Sequence, residues 1–226
     1  MMKYTYRFKR HGFTLLEMVF VIIVLGILAS LAVPRIDRDL KQEAADNILS
    51  DIRYTQHLAQ MGSKQMFNDP RWERRYWRIV FGSCTGNDKF YMIGTDDDMD
   101  GSNNAYFENT EAAIDPSNGK YMFWTNGNDC SNGGDNNASS RIFISKKYSI
   151  KNVTSSGGCA NATHIGFDHL GRPQHGVGFS NANLPEHKGY MSSTCTFTFT
   201  LEDDSTFSIA IEPETGYAYI SSQLGS

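Results

Sequence analysis

Hydrophobic residues occupy nearly every position from residue 13 to residue 33. The stretch reads FTLLEMVFVIIVLGILASLAV, and Glu17 is its only charged residue. About 20 consecutive apolar residues are enough for a helix to cross a bilayer. The pattern therefore predicts a transmembrane helix over residues 13–33.

From residue 35 to residue 66 the apolar positions instead recur at steps of three or four, which predicts an amphipathic helix. The apolar stripe comprises Ile36, Leu40, Ala44, Ile48, Ile52, Thr55 and Ala59. The opposite face is charged, with Asp39, Glu43, Asp46, Asp51 and Arg53. Together the two segments predict one long helix over residues 13–66, with a kink expected at Gly26 and Pro34.

Residues 67–226 have a different pattern, with short runs of alternating polar and apolar residues that predict strands. The predicted strands are 77–81, 90–93, 121–124, 141–145, 164–168, 194–201, 206–211 and 217–220. The stretches 126–140 and 152–162 are rich in Asn, Gly and Ser and are predicted to be loops, because they bury too little apolar area to offset the entropy of ordering. The expected fold class is α+β, a long N-terminal helix packed on a β-rich globular domain.

The charge is unevenly distributed along the chain. The formal net charge is -4, yet residues 1–12 contain Lys3, Arg7, Lys9 and Arg10 and no acid. Basic residues before an apolar span keep that end in the cytoplasm, so the sequence predicts a single-pass protein with its globular domain on the far side. A cleaved secretory signal is the alternative, but the apolar run is long for one and no A-x-A-like site follows it.

Glu17 is unusual, because a carboxylate at the centre of an apolar span costs roughly 2.5–3.5 kcal/mol on insertion scales. No basic residue lies within the span. We therefore expect its partner to come from elsewhere, such as the N-terminus of another copy.

The segment Gly12-Phe13-Thr14-Leu15-Leu16-Glu17 resembles the processing site of type IV prepilins and pseudopilins. That family has a short basic leader ending in Gly, then Phe, a Glu four residues on and an apolar helix. The resemblance implies that a prepilin peptidase removes residues 1–12 by cutting between Gly12 and Phe13, and methylates the new Phe13 amine. It also implies that Glu17 pairs with the Phe13 amine of a neighbouring subunit during assembly.

Three later segments resemble GspH/FimT-type minor pseudopilins more loosely: NILSDIRYTQHLA at 47–59, GFDHLGRP at 166–173 and EPETGYAYI at 212–220. The resemblance implies a long helix on two small β-sheets. It also implies a non-enzymatic subunit of a type II secretion pseudopilus or a type IV pilus. The expected partners are other pilins, the prepilin peptidase and the inner-membrane assembly platform. The expected location is the bacterial inner membrane, with residues 35–66 and the globular domain in the periplasm.

One acidic stretch has the spacing of a calcium loop. Asp96, Asp98, Asp100 and Ser102 place oxygen ligands at every second position, with a glycine between the last two. The acid expected at the twelfth position is missing, since Phe107 stands there. A solvated acidic turn is the alternative, and no other cofactor is expected.

Four cysteines allow two disulfides in an oxidising compartment, and three pairings are possible. We favour Cys159–Cys195, because each lies at or just before a strand of the C-terminal sheet, which leaves Cys84–Cys130. Unbonded thiols are the alternative.

Asn137 begins an Asn-x-Ser sequon with an acid two residues before it, which makes it a candidate glycosylation site.

Residues 71–78, RWERRYWR, combine basic and aromatic side chains that could bind single-stranded nucleic acid. A DNA-binding minor pilin of a DNA-uptake pilus is therefore the alternative function, although the acidic net charge argues against nucleic acid as a partner. His164, His169 and His175 match no common zinc spacing. Because no catalytic triad or phosphate loop is present, we expect no enzymatic activity.

Overall fold

The computed structural model describes residues 14–62, 68, 75–98, 107–131, 133–175 and 189–223, without the side chains of residues 30–39. Contacts between Cα atoms divide the chain into two compact units, Met1–Leu40 and Lys41–Ser226.

Helix α1 spans Leu15–Met61 and is assigned as helix throughout, including at Gly26 and Pro34. It ends five residues before the predicted boundary at 66, and Gly62 follows it as a bend. Among the described residues, no helix has both the length and the apolarity that crossing a membrane requires. The buried positions of its second part include the predicted Ala44, Ile48, Ile52, Thr55 and Ala59.

The strands form two antiparallel four-stranded sheets. The first sheet contains β1 (Trp77–Ser83), β2 (Lys89–Gly94), β4 (His164–Phe167) and β5 (Pro173–Gln174), in the order β2-β1-β4-β5. The second sheet contains β3 (Ile150–Gly157), β6 (Cys195–Leu201), β7 (Thr206–Ile211) and β8 (Ala218–Gln223), in the order β3-β6-β7-β8. The α+β class, with an N-terminal helix and a β-sheet domain, is thereby confirmed.

Aromatic rings form much of the core between the sheets. The ring of Phe81 on β1 lies 5.0 Å from that of Phe197 and 5.5 Å from that of Phe199, both on β6. Phe199 in turn stacks on Phe207 of β7 at 4.9 Å. Because aromatic side chains bury large apolar areas, these contacts hold the two sheets together in one core.

Two predicted strands are wrong. Residues 121–124 make only isolated bridges, from Tyr121 to Ile114 and to Ala138. Residues 141–145 lie instead in a 3-10 turn, Ser140–Ile142, and in the short helix α2, Ile144–Tyr148. Short apolar runs do not distinguish buried helix from buried strand. Here Ser139 decides the outcome locally, since its hydroxyl accepts from the backbone N–H of Arg141 and caps the turn.

The predicted loop over residues 152–162 is wrong in its first part, because β3 occupies Ile150–Gly157, and right over residues 158–162, which form the turn that follows. β3 is an edge strand that pairs only with β6 in its sheet. Its polar side chains are mostly exposed, so the strand is held in place by backbone pairing with β6 together with the burial of Ile150. Composition alone does not show such a strand.

Both favoured disulfides are present. Cys84 is bonded to Cys130 and Cys159 to Cys195, and the Cα atoms lie 5.9 Å and 5.1 Å apart. The first disulfide joins the end of β1 to the loop before α2. The second joins the turn after β3 to the start of β6.

Candidate functional site

The start of α1 is organised by Glu17. The backbone N–H of Glu17 donates to the Thr14 hydroxyl at 3.2 Å, and the Glu17 carboxylate accepts from the Thr14 backbone N–H at 3.3 Å. This reciprocal pair is a capping box, which satisfies backbone donors that the first turn of a helix leaves open. Glu17 thus has a partner within its own chain that the sequence analysis missed, although the T-x-x-E spacing signals it. Gly12 and Phe13 lie outside the described residues.

The side chains that follow Glu17 on α1 are apolar and exposed. Every residue from 14 to 29 is exposed, and the exposed fraction of the large apolar side chains runs from 83% at Leu15 to 37% at Val24. A continuous apolar surface of this size marks a site of contact with a membrane or with other proteins. In this unit, therefore, the candidate functional surface is the helix itself.

In the second unit, a buried polar cluster fastens α1 to the domain. Asp51, predicted on the charged outer face, is only 3% exposed. Its carboxylate accepts from the Tyr91 hydroxyl of β2 and forms a 2.8 Å ion pair with Arg141. The prediction failed because the helix is covered on more of its circumference than the apolar stripe alone indicates. A buried carboxylate is tolerated there because both of its partners are donors.

A second buried carboxylate supports the same cluster. Asp115 accepts from the Ser139 hydroxyl at 2.6 Å, from the Ser117 hydroxyl at 2.7 Å and from Asn118 at 3.1 Å. Burial acts to raise the pKa of Asp115, but the hydrogen bonds from Ser139 and Ser117 and the positive charge of Arg141 outweigh it and lower the pKa. Asp115 therefore stays ionised and holds the Ser139 cap in position.

Burial raises the pKa of Asp51 to about 6, against the lowering effects of the Tyr91 hydroxyl and Arg141. Burial likewise raises the pKa of Tyr91 well above its ordinary value, and the negative charge of Asp51 adds to the rise. The phenol therefore remains a hydrogen-bond donor.

The three segments that resemble minor pseudopilins meet at Gln56 of α1. Its amide donates to the carbonyl of Gly171 at 2.8 Å and to the carbonyl of Thr215 at 2.9 Å. Gly171 lies in the turn between β4 and β5, and Thr215 in the turn between β7 and β8. Gln56 thus ties the helix to one turn of each sheet.

The acidic stretch after β2 brings two of the predicted calcium ligands together with a third carboxylate that the sequence analysis did not include. Oxygen atoms of Asp96, Asp98 and Glu111 lie within 4.8 Å of one another. Glu111, which the sequence analysis missed, also accepts from the backbone N–H groups of Asp97 and Asp98 at 2.6 Å and 3.2 Å. Asp100 and Ser102 lie outside the described residues, and calcium binding stays a prediction.

Asn137 is exposed, as a glycosylation site must be, but its surroundings are ordered by hydrogen bonds. The Asp135 carboxylate accepts from the backbone N–H groups of Asn137 and Ala138, both at 2.8 Å. Ser139, the third residue of the sequon, is buried and bonded to Asp115. A transferase that reads this serine would therefore have to act before the segment folds, and glycosylation stays a prediction.

The described part of the basic and aromatic segment 71–78 contributes mainly to the fold. Tyr76 and Arg78 are buried, and Arg75 pairs with Asp97 at 3.4 Å. Residues 71–74 lie outside the described residues.

His164 on β4 is buried. Burial, together with the charges of Arg78 and His175, lowers its pKa to about 3, which keeps the imidazole neutral.

Residues 7–33 match a family model described as the prokaryotic N-terminal methylation motif. Neither the comparison with curated proteins nor the comparison with solved structures returned a match. The matched residues include Gly12, Phe13, Glu17 and the exposed apolar face of α1. The chain thus carries at its N-terminus the methylation motif that is the signature of type IV pilins and pseudopilins.

Proposed function

We propose that the chain is a minor pseudopilin, a structural and non-enzymatic subunit of a type II secretion pseudopilus or a type IV pilus. The observation that carries this proposal is the methylation motif at residues 7–33, which includes the start of α1 and its exposed apolar side chains. In such a subunit the exposed apolar face is where neighbouring helices pack in the filament.

Before assembly, residues 13–33 anchor the protein in the inner membrane. The basic leader, residues 1–12, stays in the cytoplasm, and the unit Lys41–Ser226 lies in the periplasm. Two disulfides in that unit fit the oxidising periplasm, because disulfides persist in oxidising compartments and are rare in the cytosol.

The protein acts by assembling rather than by catalysis. The prepilin peptidase removes the leader, the assembly platform extracts the helix from the membrane, and other pilins receive it. The compact second unit has its own core and disulfides, so it keeps its fold while the N-terminal helix changes surroundings.

Glu17 has two roles in this mechanism. In the single subunit its carboxylate caps α1 through Thr14. On assembly the same carboxylate pairs with the methylated Phe13 amine of a neighbour, because a buried charge needs an opposite charge nearby.

Intact-mass spectrometry of the membrane-purified protein tests the processing step. Wild-type chain produced with a prepilin peptidase should lack residues 1–12 and carry one added methyl group. The variant Gly12→Val should keep Met1, because the resemblance places the cut directly after this glycine. A wild-type N-terminus at Met1, or a cut beyond Ala32, would contradict the proposal.

A further inference from the structure

The outer edge of β3 offers unused backbone hydrogen-bonding groups. The Gly158 N–H donates to the Thr194 carbonyl at 3.0 Å, in register with the ladder between β3 and β6. Bonded positions in an antiparallel pair recur at every second residue. The residues Asn152, Thr154 and Ser156 therefore bond to β6, whereas Val153 and Ser155 turn their N–H and C=O groups outward. Among the described residues, these outward groups have no hydrogen-bond partner.

A cleft of about 370 Å³ lies beside this edge. Phe81 of the first sheet and Phe197 of the second supply aromatic walls, and Val153 and Ser155 line the β3 side. The cleft therefore combines an apolar surface for side chains with a strand edge for a backbone.

The edge of β3 is closed by hydrogen bonds near both ends. Near its start, the Ser145 hydroxyl accepts from the Lys89 N–H of β2 at 2.6 Å and donates to the Ile150 carbonyl. Towards its end, the Ser155 hydroxyl donates to the Ala162 carbonyl at 2.7 Å. The open backbone groups lie beyond the first contact and extend only to Ser155, whose hydroxyl makes the second, which limits the cleft to a short segment.

One charge faces the cleft. Of the described residues that line it, Lys89 alone is charged. Its ammonium donates to the Ser83 hydroxyl at 2.8 Å, and no described carboxylate lies within ion-pair distance of it. An ammonium with only a neutral partner favours a ligand that carries a carboxylate.

We propose that the cleft binds an extended peptide segment of another protein, which adds to the edge of β3 as a strand and places a carboxylate beside Lys89. Strand addition takes its affinity from backbone hydrogen bonds and its specificity from alternate side chains. Here the backbone bonds go to Val153 and Ser155, and an apolar side chain of the peptide packs against the wall of the cleft to which Phe81 and Phe197 contribute. This inference goes beyond the filament role and does not depend on it.

Peptide titration tests the mode of binding on the full chain in detergent micelles. The probe is a fluorescent seven-residue peptide of alternating threonine and valine with a free C-terminal carboxylate, followed by anisotropy. Methylating every backbone nitrogen of the peptide should weaken binding at least tenfold, because two lost backbone hydrogen bonds correspond to about that factor. Amidating the C-terminus should also weaken it about tenfold, and a terminal aspartate side chain in the amidated peptide should restore it.

Two variants locate the site. Lys89→Met should reduce the affinity for the free-acid peptide to that for the amidated peptide, and it should leave the affinity for the amidated peptide unchanged. The control Lys151→Met removes a lysine from β3 itself and should change the affinity for neither peptide. Val153→Pro should weaken every peptide and still fold, since proline is tolerated where an edge N–H faces outward.

Equal binding of the methylated and unmethylated peptides would overturn strand addition. An unchanged preference for the free acid in Lys89→Met would overturn the placement of the carboxylate. Absence of binding by any of these peptides at millimolar concentration would overturn the proposal as a whole.

Discussion

Two carboxylates on α1 are held in opposite surroundings. Glu17 is on an exposed apolar surface and is engaged by the Thr14 backbone and hydroxyl. Asp51 is buried in the second unit, between Tyr91 and Arg141. The first carboxylate is available to a neighbouring chain and the second is not, so only Glu17 suits an assembly role.

Glu17→Gln separates the two functions proposed for Glu17. Glutamine can replace glutamate in a capping box, so the start of α1 should stay intact. Glu17→Ala should lose the hydrogen bond from the Thr14 backbone N–H, at a cost of about 0.5–1.5 kcal/mol, and keep the one to the Thr14 hydroxyl. Both variants lose the charge, so both should insert in the membrane and fail to copurify with filaments. Normal assembly of Glu17→Gln would show that capping, not charge pairing, is the role of this residue.

Asp51 should make stability depend on pH. Its folded-state pKa of about 6 exceeds the ordinary value of 3.8, so the folded state binds a proton that the unfolded chain releases. The resulting stabilisation is fully present below pH 3.8 and is lost as the pH rises through about 6. For a shift of this size the loss is about 3 kcal/mol.

Urea unfolding of residues 41–226 at several pH values measures this effect. Because asparagine does not titrate, the difference in unfolding free energy between wild type and Asp51→Asn should change by about 3 kcal/mol between pH 4 and pH 7. The matched control is Asp46→Asn, an exposed position on the same helix. Parallel profiles of wild type and Asp51→Asn would contradict a raised pKa.

At the scale of elements, α1 is the part to which both sheets are attached. Ile48 and Ile52 are fully buried, and Gln56 bonds to one turn from each sheet. The two turns approach closely, because a Cβ atom at Gly216 would lie 2.2 Å from the Gly171 carbonyl oxygen. A glycine is therefore required there by both space and conformation.

Gly216→Ala should disrupt this junction. Gly216 has a φ of +65° and Gly119 a φ of +71°, but a Cβ at Gly119 would meet nothing within 4 Å. Gly119→Ala should therefore cost only the conformational strain, about 1–2 kcal/mol. Gly216→Ala should cost about 2–3 kcal/mol more, because the clash also breaks the Gln56 hydrogen bonds. Equal urea midpoints for the two variants of residues 41–226 would show that the junction adapts.

At the scale of the whole molecule, the two compact units have different means of stabilisation. The unit Lys41–Ser226 contains the buried aromatic core and both disulfides. The unit Met1–Leu40 contains the methylation motif and exposed apolar side chains, which need a membrane or other subunits to cover them. Folding of the second unit is therefore separable from assembly through the first.

Removal of either disulfide should destabilise the second unit. The cysteines are separated by 46 residues in one pair and 36 in the other. For loops of this length the chain-entropy model gives about 4 kcal/mol each, and measured values are typically 2–4 kcal/mol. Replacing both Cys84 and Cys130 with serine, or both Cys159 and Cys195, should lower the unfolding free energy of residues 41–226 by that amount. The wild-type protein in the presence of a reductant should lose at least as much unfolding free energy. An unchanged urea midpoint under reductant would contradict the prediction.

Much of the architecture was accessible from the sequence by itself, because it depends on local patterns. Period 3.6 along residues 40–61 located the buried face of α1, and alternation located β1, β2, β4, β6, β7 and β8. The motif around Gly12, Phe13 and Glu17 indicated the superfamily, because it combines a cleavage site with a rare acid in an apolar span. Each of these patterns depends only on residues that are a few positions apart in the sequence.

Only the tertiary structure decided the features that depend on distant parts of the chain. Asp51 is buried because Tyr91 and Arg141, far away in sequence, supply its hydrogen bonds. β3 is a strand because β6 pairs with it, although its composition is that of a loop. Glu111 joins Asp96 and Asp98 because the chain returns to the end of β2. In each case the stabilising interaction is with a residue that is distant in the sequence. No local pattern predicts such a partner, because only folding brings it close.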